Sequence, residues 1–185
     1  AMAYSHARGI IHRDLKPENV LLAEANPPAD GLPLVKITDF GVAKRLDGVS
    51  DTQTGAIKGT PNYMAPEQAQ GWIHEITPAV DIFALGVILY QCLTGAVPFE
   101  DPDPWALIRR VLEDAPEPPR KRAPRVPRDL ELICLKCLEK EPHHRYPTAA
   151  ELADDLRRFL NREAVSVRPI GVPTRLVRWA KKHPS

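Results

Sequence analysis

Apolar positions in the second half of this chain recur with the spacing of helix faces. Thr77-Pro78 supplies an N-cap and a proline suited to the first helical position. Apolar residues then run through Leu93 and stop at Gly95. Asp103-Pro104 repeats the device ahead of Trp105, Leu107, Ile108, Val111 and Leu112. Leu130, Ile133, Cys134, Cys137 and Leu138 keep the same period. Thr148-Ala-Ala-Glu151 is a capping box in front of Leu152, Leu156, Phe159 and Leu160. Proline clusters at Pro116 to Pro119 and Pro124 to Pro127 separate these helices.

The first half reads differently. Ala1 to Gly9 has the look of the last turns of a helix closed by a glycine. Ile10-Ile11, Val20-Leu21-Leu22 and Leu34 to Thr38 are short apolar pieces, predicted as strands that present a loop between them. Ala23 to Pro33 and Leu46 to Lys58 are polar, without periodicity, and predict surface loops. A few short strands followed by several helices is an α+β pattern, mostly helical.

Composition adds limits. The chain has 185 residues, 43% of them hydrophobic and 26% charged, which is globular and argues against disorder. Such a length buries roughly 70% of the unfolded surface as one domain. The net charge of +1 conceals two basic stretches, Arg120 to Arg128 and Arg162 to Lys182. The first has no interleaved aromatic residues, so a solvated face is expected and nucleic acid is not. Trp179 beside Lys181-Lys182 leaves membrane-surface contact by the tail open. Cys134 and Cys137 have CxxC spacing, yet no second Cys or His pair lies at zinc-site distance, so both are expected as buried thiols. His143-His144 are expected to point apart on a helix and to bind no metal. The start of the chain lacks the pattern of a secretory signal. Ile82 to Leu89, the longest apolar run, falls short of the roughly 20 residues that span a bilayer.

The chemistry is concentrated in His12-Arg13-Asp14-Leu15-Lys16-Pro17-Glu18-Asn19 and, further on, Asp39-Phe40-Gly41. An acid, a lysine, an asparagine and a second acid are spaced to hold a magnesium-bound triphosphate beside an attacking hydroxyl. Phosphoryl transfer needs alignment and charge neutralisation more than covalent help. Asp14 suits the role of accepting or orienting the hydroxyl proton, and Lys16 that of stabilising the migrating phosphoryl group. Asn19 and Asp39 offer the oxygen ligands that Mg2+ prefers.

These two strings resemble the catalytic and metal-binding loops of the eukaryotic-like (bacterial-type) serine/threonine protein kinase family, and the helix-rich pattern resembles its C-terminal lobe. The resemblance covers residues 1–162 and leaves 163–185 as a basic linker or juxtamembrane segment. It implies ATP and Mg2+ as cofactors, and proteins with Ser or Thr acceptors as substrates. Gly59-Thr60-Pro61-Asn62-Tyr63-Met64-Ala65-Pro66-Glu67 resembles the family's substrate-docking segment, with Glu67 paired to Arg145. Asp81 resembles the buried aspartate that holds the backbone around His12-Arg13. His12 is implied to pack beneath Phe40, Leu21 to lie under the adenine, and Thr60 to bridge Asp14 and Lys16. Lys16 and Thr60 together point to serine/threonine specificity, and Glu18 to a basic residue on the substrate. Arg13 implies control by phosphorylation in the segment after Gly41, with Thr52 and Thr54 as the favoured sites and Ser50 as another.

Against the family pattern, the 185 residues carry no glycine-rich loop, no strand lysine and no adenine-binding hinge. The resemblance therefore implies a kinase fragment whose N-terminal lobe is a missing partner, and which alone neither binds ATP tightly nor transfers phosphate. Two rival classes fit the residues less well. A pseudokinase predicts a broken Asp14, Asn19 or Asp39, and all three are intact. Small-molecule phosphotransferases lack the Gly59 to Glu67 segment. A cytoplasmic location is expected, including the cytoplasmic face of a membrane-anchored kinase.

Overall fold

The 16-residue helix formed by Ala79–Thr94 runs through the centre of the molecule, and its composition requires that. Val80, Asp81, Ile82, Phe83, Ala84, Gly86, Val87 and Tyr90 are all buried, so the helix is apolar nearly all round and must be covered on every side. The computed structural model of the chain describes residues 1–23, 34–40, 61–71 and 76–168. Expectations about the loops at 24–33 and 46–58, about Gly41, Thr52, Thr54 and Thr60, and about the tail after Arg168 lie outside those residues.

In chain order the elements are α1 (Met2–His6), β1 (Val20–Ala23), β2 (Leu34–Ile37), α2 (Pro66–Ala69), α3 (Ala79–Thr94), α4 (Pro104–Glu113), α5 (Pro119–Arg122), α6 (Arg128–Cys137) and α7 (Ala149–Leu160). Short 3₁₀ turns occupy Pro17–Asn19, Pro61–Tyr63 and Pro142–His144. The central helix α3 separates two cores. Ile82 and Ala84 face Leu15, Ile133, Cys137, Tyr146 and Leu152. Val80, Phe83, Val87 and Tyr90, at helical spacing, face Phe99, Leu107, Val111, Cys134 and Leu138. Each fully buried Leu, Ile or Phe here contributes roughly 1.5–3 kcal/mol.

Close contact between α3 and α6 depends on a missing side chain. A Cβ on Gly86 would lie 2.5 Å from Cys137 Cβ, so only glycine lets the two backbones approach this far. The thiols of Cys134 and Cys137 are buried and reduced, and Cys134 Sγ donates to Gly86 O. Burial pushes the Cys137 thiol up to about 12, which makes it a small hydrophobe and not a nucleophile. Cys92 is exposed.

Helix ends follow their sequence signals with small shifts. The Asp103 carboxylate accepts from Ala106 N at 2.9 Å, and Thr148 Oγ1 accepts from Glu151 N at 3.2 Å. In α3 the proline sits one position earlier than expected: Pro78 is the N-cap and Thr77 Oγ1 accepts from Ala79 N at 3.4 Å. Gly95 closes α3 at φ 75°. Gly9, at φ 71°, closes α1 in a Schellman arrangement, with Gly9 N donating to His6 O and Ile10 N to Ser5 O, both at 3.0 Å.

Two expectations need correction here. Ile10-Ile11 is not a strand, because the Ile10 N–H is used to close α1 and the following His12 N–H is taken by Asp81. The folded body also runs past Arg162. Val167 is buried in the first core, and Asp155 accepts from Ser166 N at 2.7 Å, Ser166 Oγ at 2.8 Å, Val167 N at 3.2 Å and Tyr146 Oη at 2.7 Å. No helix among the described residues is long and apolar enough to cross a membrane.

Candidate active site

The loop from His12 to Asn19 is held from below by α3. Near the start of that helix the buried Asp81 carboxylate accepts from His12 N and Arg13 N, both at 2.9 Å, one bond to each oxygen. The same carboxylate accepts from His6 Nε2 of α1 at 2.8 Å. Three donors from two segments thus converge on one anion at the first turn of a helix, where the dipole favours negative charge.

Arg13 is one of three non-glycine residues described with positive φ, at 67°; Asp39 is another, at 55°. Such backbone costs on the order of 1–3 kcal/mol per residue and persists only when its surroundings enforce it. Enforcement at Arg13 is explicit. Its N–H is held by Asp81 and its carbonyl accepts from Gln68 Nε2 at 2.8 Å. Asp14, the next residue, donates its own N–H to His12 Nδ1 at 3.3 Å.

Beyond Asp14 the loop closes on itself. Leu15 is fully buried, so Asp14 and Lys16 on either side emerge toward solvent. Their side chains approach to 3.7 Å between Lys16 Nζ and Asp14 Oδ2, each about a third exposed, and a pair so wet stabilises little. Pro17–Asn19 forms a 3₁₀ turn, and the buried Asn19 donates from Nδ2 to Asp14 O at 2.8 Å. With Nδ2 committed, the amide presents Oδ1 as its remaining acceptor.

The strand pair brings the second motif to this loop. Register β1–β2 sets Val20 against Ile37, and the ladder extends one step as Thr38 N donates to Asn19 O at 3.0 Å. His12 Nε2 donates to Thr38 O at 2.8 Å, and the His12 and Phe40 rings lie 4.8 Å apart. Asp39, exposed, therefore sits between two residues that both touch the 12–19 loop. The two contacts of His12, donor at Nε2 and acceptor at Nδ1, fit one neutral tautomer, so the ring is a structural wedge here. Leu21 and Leu22 on β1, with Leu34 and Val35 on β2, expose apolar side chains to solvent.

On the far side of the loop, Pro61–Glu67 is bolted down. Tyr63 Oη donates to Gln91 Oε1 at 2.7 Å and Asn62 Nδ2 to Phe99 O at 3.2 Å. Burial, with the Glu18 carboxylate second, pushes the Tyr63 phenol up, which keeps it a donor. Glu67 accepts from Arg145 Nη1 at 2.7 Å and Nη2 at 2.8 Å. Arg145 also donates to the carbonyls of Glu139, Ala79 and Lys140, so all five of its N–H groups are occupied in a fully buried position. His143 and His144, expected to diverge on a helix, instead lie in a 3₁₀ turn with ring centroids 4.1 Å apart.

The geometry thus gathers Asp14, Lys16 and Asn19 in one loop and sets Asp39 and Phe40 against it. Two participants, His6 and Gln68, were not foreseen. Gln68 had a weak signal, since a Gln three residues after an N-cap position commonly bonds back to the cap N–H, as it does to Ala65 N at 3.1 Å. His6 had none.

Residues 1–156 match the protein kinase domain, and the chain belongs to that family. Among its relatives is the serine/threonine-protein kinase PknB of Mycobacterium tuberculosis, 40% identical over 165 residues, covering 88% of this chain and 25% of that protein. PknB of Mycolicibacterium smegmatis is 41% identical over 160 residues, covering 85% and 24%. A probable serine/threonine-protein kinase of Clostridium perfringens is 35% identical over 159 residues, covering 86% and 22%. The chain spans about a quarter of the length of these curated relatives.

Proposed function

We propose that these residues form the C-terminal lobe of a serine/threonine protein kinase, and that the whole protein transfers the γ-phosphate of ATP to Ser and Thr hydroxyls of other proteins. The observation that carries this reading is the closure of the 12–19 loop on Thr38–Phe40. Asn19 Nδ2 holds Asp14 O, Asn19 O holds Thr38 N, and His12 Nε2 holds Thr38 O. Asn19 and the Thr38–Phe40 segment, which carries Asp39, are thereby tied to the loop that carries Asp14.

In this reading Asp14 orients the attacking hydroxyl and takes up its proton as the bond to phosphorus forms. Lys16 neutralises charge on the phosphoryl oxygens. The donor set at Asn19 and Asp39, one amide oxygen and one carboxylate, fits a hard divalent cation. Asn19 and Asp39 would hold Mg2+, which would supply charge neutralisation for the phosphates of ATP. Leu21, exposed on β1, suits contact with the adenine. Leu22 and Val35, paired across β1–β2 and both exposed, suit cover by a second, ATP-closing lobe. Because ATP is the donor, the same proposal puts this domain in the cytoplasm.

The test is phosphate transfer by the full-length protein from labelled ATP to Ser, Thr and Tyr peptides. Transfer to Ser and Thr is expected, with Asp14→Asn lowering kcat by about 10²–10⁴-fold. An Asp14→Asn protein as fast as the wild type would remove the reading.

A further inference from the structure

The residue before Asp14 holds an unfavourable backbone, and both of its polar backbone groups are gripped from outside the loop. Asp81 grips the Arg13 N–H and Gln68 grips the Arg13 carbonyl, the latter at 2.8 Å. Gln68 makes this bond from α2, directly after Ala65-Pro66-Glu67. Its other amide atom, Oε1, accepts from Ala65 N at 3.1 Å. One carboxamide therefore ties the start of α2 to the peptide that carries Asp14. Only a group with a donor and an acceptor on the same end can make both bonds, which sets the orientation of the Gln68 amide without ambiguity.

We propose that Gln68 is a positioning residue for the reaction, fixing the Arg13–Asp14 peptide against the docking segment so that Asp14 points where a substrate hydroxyl arrives. The proposal rests on the kinase reading above and extends it. Glu67, the neighbouring residue, is anchored through Arg145 to the body of the protein, so α2 is a rigid support for this contact. When the docking segment is in place, Gln68 transmits its position to Asp14 through two bonds. A displacement of about 1 Å at a reacting group is enough to lower a rate by about a hundredfold.

Three versions of the full-length protein test this: wild type, Gln68→Glu and Gln68→Met. Glutamate keeps the acceptor for Ala65 N but, when ionised, turns a second oxygen toward the Arg13 carbonyl. When protonated it regains a donor. Methionine fills the space and makes neither bond. On a Ser/Thr peptide, both variants are expected to lower kcat by about 10- to 100-fold, with KM for ATP changed by less than about twofold. As pH falls toward the ordinary Glu value of about 4.3, Gln68→Glu should recover relative to wild type while Gln68→Met should not. A merely structural role would depress both variants alike at every pH. Hydrogen exchange at the Asp14 and Leu15 amides, faster in both variants at neutral pH, reads the same contact without ATP.

Wild-type rates in both variants, equal pH profiles for the two, or loss of folding in both would each overturn the proposal. A wild-type protein that transfers no phosphate would overturn the kinase reading instead, and the exchange measurement would still decide on Gln68.

Discussion

Glu67 and Arg145, 78 residues apart in the chain, meet in a buried pair with two N–H···O bonds of 2.7 and 2.8 Å. The remaining guanidinium protons go to three backbone carbonyls, and the guanidinium lies 5.0 Å from the Phe83 ring. Arg145→Met or Glu67→Gln is expected to cost about 3–5 kcal/mol, because each strands a buried polar partner. Lysine should not rescue Arg145, since an ammonium lacks the planar fork and two of the five donors. Changing both residues to apolar ones should cost less than the sum of the single changes. Urea unfolding of wild type and the four variants measures this; an Arg145→Lys midpoint equal to wild type would show that the fork is not what matters.

Asp81→Asn should damage both stability and rate. A carboxamide cannot accept at both ends, so at least one of the His6, His12 and Arg13 donors loses its partner, at about 1–3 kcal/mol. With Arg13 then free to relax from its left-handed conformation, kcat on a Ser/Thr peptide is expected to fall more than about tenfold. Thermal unfolding and peptide phosphorylation, read together, check the two effects.

The Asp155 clamp makes an acid-side prediction. Burial alone would raise its carboxyl, but donors from Ser166, Tyr146 and Val167 outweigh that and hold it below the usual Asp range. A carboxylate depressed in the folded state adds stability at pH values above its unfolded value of about 3.9. That contribution is lost as pH falls through the folded value. Asp155→Asn should therefore be less stable than wild type by about 1–3 kcal/mol at pH 7, with the gap narrowing below pH 4. A gap that widens on acidification would contradict this.

Gly86→Ala tests the approach of α3 to α6. The added methyl would meet Cys137 Cβ at 2.5 Å and the Cys137 backbone carbon at 3.3 Å, so the helices must separate. About 1–3 kcal/mol of destabilisation is expected, seen as a lower melting temperature.

How much of this was visible in the sequence varied with range. The His12 to Asn19 string was legible because its chemistry is local: an acid, a lysine and an amide within one loop. Helix caps at Asp103 and Thr148 were legible for the same reason. Pairing Glu67 with Arg145, and Asp81 with the His12-Arg13 backbone, came from family resemblance, since nothing in a linear pattern links residues that far apart. Gln68 and Asp155 escaped because each acts on backbone groups, which have no sequence of their own, and His6 because its partner Asp81 lies 75 residues away. Ile10-Ile11 was misread because two adjacent apolar residues are compatible with any extended piece. Which one it is depended on where the Ile10 and His12 N–H groups went.

Control by phosphorylation is the remaining expectation to test. If Arg13 grips a phosphate in the segment after Gly41, Thr52→Ala with Thr54→Ala should slow activation of phosphate transfer by the full-length protein. Arg13→Ala should slow it as well, and the combined protein should be no slower than the slower of the two. Additive losses, measured as the lag before full activity with ATP, would separate the two sites.

Anyone trimming this protein for crystallisation or screening would be drawn to stop at residue 156, where the family match ends. Such a cut would delete the hydroxyl and amide protons of Ser166 and Val167 that shield Asp155, and would open a gap where Val167 had sat. The shortest piece that keeps these contacts reaches at least Val167, eleven residues further on.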